Sequence, residues 1–191
     1  MNISAIESRN EEFKDALDED VKSLIRLHEK DEEAVGRPGK WLEAIRRSAI
    51  VLSAANLESY LEDVACISLR ILATKGVYAT HFPKNYRLWN FQQEANNRSL
   101  GLEDAEEIVA LSQKLWARQR PISEDELRLD ELRNKFANPT PSDVDWLMGL
   151  FDQNDYVAGV NVQVSGKPTN AESALGELAR RRNDIAHGQV D

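Results

Sequence analysis

The chain has 191 residues, 41% apolar and 30% charged, with a net charge of −9 and an isoelectric point near 5.0. That balance predicts one globular domain over residues 1–191 with a sizeable core, and it argues against broad, sequence-blind nucleic-acid binding through a basic surface, leaving room only for a local basic cleft. No run approaches the roughly 20 apolar residues of a membrane span, and Met1-Asn2-Ile3-Ser4 opens no secretory pattern, so no membrane partner and a cytoplasmic setting are expected.

From Ile3 to Val35 the pattern is helical. Ile3, Ile6, Asn10, Phe13, Leu17, Asp20, Leu24 and Leu27 recur in alternating three- and four-residue steps, the seam of a helix that faces a partner helix. Asn10 and Asp20 interrupt it, which argues against a long regular coiled coil. Gly36-Arg37-Pro38-Gly39 stops the helix. A second long helix runs from Trp41 to about Lys75, apolar nearly all round over Ala49–Leu57, as expected for a central, multiply packed helix. The short turn makes an antiparallel hairpin the simple topology. The single Cys66 excludes an intrachain disulfide and fits a small core residue.

Gly76–Pro83 is a break from which Tyr78, His81 and Phe82 can fold back onto the core. Shorter helices follow over Arg87–Arg98, Leu102–Trp116, Ser123–Arg133 and Ser142–Phe151. Ser123 and Glu126 have capping-box spacing, and Asn138-Pro139-Thr140-Pro141 is a linker. Val157–Val164 alternates in places, as a short strand or an extended arm would. Thr169-Asn170-Ala171-Glu172 is a second capping box, opening a last helix that runs to about His187, with Gly188 as its stop. Trp41, Trp89, Trp116 and Trp146 are spaced as core anchors. No Cys pair, no helically spaced His pair and no Gly-rich loop after a strand occur, so no metal or other cofactor is expected.

The tail, Arg180-Arg181-Arg182-Asn183-Asp184-Ile185-Ala186-His187-Gly188, concentrates the chain's catalytic-type groups. Asn183 and His187 are four apart and share a helix face. Arg182 and His187 stand about 140° apart around the axis, within the sweep of a long guanidinium arm. Cleavage of RNA by its own 2′-hydroxyl needs a base for that hydroxyl, an acid for the leaving 5′-oxygen and positive charge on the phosphorane-like transition state. Imidazole suits either proton role, and a guanidinium fork suits phosphate. Equally, three arginines and a histidine at a helix C-terminus are what the helix dipole favours.

Arg182, a polar residue, three others and His187 resemble the motif of the HEPN superfamily, whose active members cut RNA without metal. Ile50–Asp63, with its Leu52-Ser53-Ala54 and Leu57-Glu58-Ser59-Tyr60-Leu61 wording, resembles the apolar second helix of the RiboL-PSP-HEPN branch. The resemblance implies an all-α HEPN-type helical bundle with a long N-terminal helical hairpin. It also implies a homodimer whose paired tails build one composite site, and RNA cleavage leaving a 2′,3′-cyclic phosphate. Arg182 would then stabilise the transition state, His187 carry the proton and Asn183 position one or the other, with Glu58 and Arg181 in support. Glu58 either faces the last helix, pairing with Arg182 or orienting His187, or lies on an exposed stripe with Glu62 and Asp63. A toxin or anti-phage effector, with an antitoxin or regulatory partner, is the implied setting. The alternative is a catalytically inactive HEPN module that binds a nucleotide or a partner protein. Such domains continue past the motif with a packing helix, whereas only Gln189, Val190 and Asp191 follow here, so a final C-terminal helix is expected to be lacking or supplied by a partner. Arg46-Arg47 and Arg118/Arg120 are small basic spots that fit an RNA track or solvated faces alike.

Overall fold

A computed structural model describes residues 3–35, 40–136, 138–164 and 167–189. The stop expected at Gly36–Gly39 and the end of the chain at Val190 and Asp191 lie outside them. The all-α expectation holds: the described residues are helical apart from short turns and one two-stranded hairpin. They fall into two compact units, Met1–Val64 with Asn138–Pro141 and Val160–Asp191, and Ala65–Ala137 with Ser142–Gly159. No helix among them is long and apolar enough to cross a membrane.

In the first unit, α1 (Ser4–Ala16) continues through a wide, π-type turn at Leu17–Val21 into α2 (Lys22–Val35). This changes the expected seam. A π turn spends one extra residue, so the face inward of it slips by one position. Val21 is buried where the seam placed Asp20, and His28 is half-buried while Leu27 is 46% exposed. The long helix α3 (Lys40–Thr74) gives its residues up to Val64 to this unit. It runs antiparallel to α1: Phe13 stacks on Tyr60 with ring centroids 4.4 Å apart, and Arg9 donates to Asp63 at 2.9 Å and Ser59 at 3.0 Å. Asp63 is therefore a packing partner, not part of a solvated stripe. Because both partners are largely covered, this pair contributes more than the exposed Lys14–Glu11 pair, for which about 0–1 kcal/mol is typical. The α3 middle is less enclosed than its composition predicts: Val51 and Ala55 are exposed. Strands β1 (Asn161–Val164) and β2 (Lys167–Asn170) pair antiparallel and lead into α9 (Ala171–Ala186).

The second unit holds the larger apolar core. It is built from the end of α3, α4 (Lys84–Asn97), α5 (Ala105–Trp116), α6 (Leu129–Lys135), α7 (Pro141–Gly149, from Ser142) and the single turn α8 (Tyr156–Gly159). Cys66, Leu69, Phe82, Tyr86, Leu127, Leu132, Phe136 and Leu147 are all at most 2% exposed. Of the aromatic groups in the Gly76–Pro83 break only Phe82 turns inward; Tyr78 and His81 face solvent. Of the tryptophans expected to anchor cores, Trp89 is buried and meets Trp146 edge-on. Trp41 is 49% exposed at the start of α3, and Trp116 is 37% exposed at the end of α5, under the Arg87 guanidinium. The Ser123 capping box forms: its N–H and hydroxyl donate to Glu126 at 3.1 and 3.0 Å. Burial raises the Glu126 carboxyl, but hydrogen bonds from Lys114, Arg120 and Ser123 outweigh it and hold the group down at about 2. Arg120 is thereby spent on structure. The helix expected over Ser123–Arg133 is broken at Arg128, whose φ of 50° is left-handed.

Candidate functional site

The tail residues sit on α9, so its two ends determine what they can do. At its start Asn170, not Thr169, is the cap: the Asn170 side chain accepts from the Glu172 N–H at 2.6 Å. Thr169 is taken up by pairing with Val162 in the hairpin. At its end the backbone itself closes the helix. The Gly188 N–H donates to the Ile185 carbonyl at 3.2 Å and the Gln189 N–H to the Asp184 carbonyl at 2.9 Å, the paired bonds of a Schellman stop. Gly188 has a φ of +67°, which only glycine adopts without strain. Its expected role as the stop is observed.

This ending leaves His187 free of capping work. Its N–H donates to the Asn183 carbonyl at 3.0 Å, while its side chain is exposed and makes no hydrogen bond among the described residues. The three arginines are not equivalent. Arg180 binds Glu177 at 2.9–3.0 Å and Asp184 at 2.7 Å, and Arg181 binds Glu177 at 2.5 Å. Those two guanidinium groups hold the Glu177 carboxyl down at about 2. Arg182 is half-buried and makes no hydrogen bond to a carboxylate among the described residues; its Nη1 donates to Asn183 Oδ1 at a long 3.4 Å.

Glu58 is half-buried on α3. Burial raises its carboxyl, and the positive charge of Arg182 acts against that shift. Arg182 and Glu58 therefore feel one another's charge without a hydrogen bond. Glu58 also makes no hydrogen bond to His187. Of the five residues singled out by sequence, Arg182, Asn183 and Glu58 form one electrostatic group. Arg181 is tied to its own helix, and His187 stands at the exposed end. Among the described residues no three or more His, Cys, Asp or Glu side chains group as a metal site.

Sequence reading did not foresee that Arg46 and Arg47 of α3 come beside Arg180 and Arg181 of α9. Together with Ile50, Asp184 and Ile185 they line a cleft of about 150 Å³. The doublet Arg46-Arg47 was the only signal, and a doublet does not say which helix will lie against it.

The family model described as RiboL-PSP-HEPN matches residues 4–191. No curated protein and no solved structure matches the chain.

Proposed function

The chain belongs to the RiboL-PSP-HEPN family, and from that premise we propose that it is a metal-independent endoribonuclease with Arg182 and His187 as its reacting pair. The observation that carries the reading is the state of these two groups. His187 is exposed, with an imidazole that makes no hydrogen bond among the described residues, because backbone N–H groups close the helix. Arg182 is the arginine of the run that no carboxylate binds among the described residues. A guanidinium free of carboxylate hydrogen bonds can turn its fork to phosphate oxygens.

The chemistry follows from those groups. The RNA 2′-oxygen attacks the adjacent phosphorus and loses its proton to a base. The P–O5′ bond breaks, and an acid protonates the departing 5′-oxygen. The products are a 2′,3′-cyclic phosphate and a 5′-hydroxyl. Arg182 neutralises the extra negative charge of the transition state. His187 moves a proton, and Asn183, which already touches Arg182, positions it. One tail supplies one imidazole, whereas the reaction uses a base and an acid, so the site is completed by the tail of a second copy. An exposed α3 stripe in heptad spacing, Trp41, Ala44, Ser48, Val51 and Ala55, supports pairing with a second copy. A cytoplasmic setting and a role as toxin or anti-phage effector, held by an antitoxin or other regulator, fit such an activity.

A second reading is a binding module without turnover. It is favoured by one observation: among the described residues no side chain hydrogen-bonds to the His187 ring. Cleavage of a labelled RNA in EDTA separates the two. The nuclease reading expects activity in the wild type and, for folded and dimeric Arg182→Ala and His187→Ala, a loss of at least about a hundredfold in each. An inactive wild type, or activity that survives both changes, leaves the binding module.

A further inference from the structure

The arginine cleft does not end at Arg46 and Arg181. Arg46, Ile50 and Arg181 also form one wall of a second, larger hollow of about 430 Å³, completed by Val21, Ile25, His28, Glu29, Ala49, Ser53 and Leu178. Both hollows lie wholly in the first unit. One end of the combined cleft is cationic and the other largely apolar. The π-type turn ends at Val21, so the one-residue slip it introduces is what brings Val21 and His28 to this wall. Wide turns of this kind recur where helices build binding sites.

We propose that this cleft binds a nucleoside phosphate, with the base against Ile25, Ile50 and Leu178 and the phosphate among Arg46, Arg47, Arg180 and Arg181. The volume lies in the range of pockets that enclose small molecules, roughly 300–1,000 Å³. Glu29 and Ser53, which also line this hollow, can meet the polar edge of a base. At the cationic end Arg46 pairs with Glu43 at 2.8 Å, Arg47 Nε donates to the Glu43 carbonyl at 3.3 Å, and Arg180 and Arg181 share Glu177. Asp184 is held by Arg180 at 2.7 Å. On the basic side these pairs face solvent, with Arg46, Arg180 and Arg181 side chains 48–59% exposed, while the Arg47 bond is part-buried. Exposed pairs are weak, and a phosphate that accepts from several guanidinium groups together replaces them. On an acidic chain, four arginines converging from two helices make a local anion site of the kind that composition leaves open.

The same chemistry serves a residue of an RNA strand or a free nucleotide. As the strand, it deepens the nuclease reading: the cleft would hold a nucleotide beside the cut and position it for Arg182 and His187. The test reads binding, so it does not depend on turnover. The probes are a fluorescent 2′-O-methyl RNA tetranucleotide, which lacks the attacking hydroxyl, and AMP as competitor and as ligand by calorimetry. Arg46→Glu and Arg181→Glu are expected to weaken binding about tenfold or more each. The slope of log affinity against log salt should fall by about one per arginine removed. Ile25→Asp, at a 45% exposed position that tolerates charge in the fold, is expected to weaken binding to a similar degree by spoiling the base end. Circular dichroism and the melting temperature confirm that the variants are folded. Binding of the oligonucleotide alone assigns the strand, and binding of AMP assigns the free nucleotide. Wild-type affinity in all three variants, or no binding of either probe to the wild type, overturns the proposal. RNA binding without cleavage sinks the nuclease reading and leaves the cleft. Cleavage with binding that ignores all three variants does the reverse.

Discussion

The residue that decides how the tail ends is Gly188, although it carries no functional group. Its left-handed backbone lets two N–H groups bond the carbonyls of Asp184 and Ile185 in the last turn of α9. Without that closure His187 would be drawn into capping, as a terminal histidine commonly is. The space around a Cβ at Gly188 is open, so a substitution there meets only a backbone cost. Gly188→Ala is expected to lower stability by about 1 kcal/mol, read as a drop of a few degrees in melting temperature, and to reduce RNA cleavage more than that drop explains. Gly188→Asn, which tolerates the left-handed region, should recover part of both. Equal activity in Gly188→Ala and the wild type would show that the position of His187 does not depend on this stop. The contrast between Arg182 and its neighbours has the same local origin. Glu177 is three and four residues before Arg180 and Arg181 and captures both, while Arg182, five residues on, lies off that face.

At the scale of elements, the wide turn at Leu17–Val21 is the feature that periodicity reads least well. The seam from Ile6 to Leu17 agrees with the half-buried face; beyond it Val21 and His28 take the places expected of Asp20 and Leu27, while Leu24 keeps its own. A wide turn amounts to one residue inserted into an α-helix. Deleting Glu19, an exposed residue within it, is expected to restore regular helix and keep both flanking faces in register, with a stability change within about 1 kcal/mol. Deleting Glu11 from the regular part of α1 would rotate everything beyond it by about 100° and should unfold the hairpin. Thermal melts of the two deletions compare these outcomes, and equal destabilisation would refute the account. The entry to α9 shows a similar limit. Thr169 and Asn170 are both good caps by type, and the hairpin decides between them by holding Thr169 in an extended pair.

For the molecule as a whole, the proposed site, built from two tails, would make activity a property of the dimer. Wild-type chains mixed with His187→Ala and allowed to exchange should lose cleavage as the square of the wild-type fraction, because a mixed dimer retains one imidazole for a reaction that uses a base and an acid. Activity per chain should also fall on dilution below the dimer dissociation constant. Activity that falls only in proportion to the wild-type fraction would place the whole site in one protomer. The family, the all-α class, the long antiparallel hairpin, the buried Cys66 and the stop at Gly188 were legible in the sequence. Apolar spacing, helix breakers and a short motif are local signals, and local geometry expresses them directly. Other features depended on what each residue meets from a distant part of the chain. Tertiary structure put Val21 rather than Asp20 inward, gave Asp63 to Arg9, left Trp41 and Trp116 at the surface and laid Glu58 within the field of Arg182. It also set Arg46 and Arg47 beside Arg180 and Arg181, more than 130 residues away in sequence. Charge and burial at these positions are set by neighbours that no spacing within a single helix specifies.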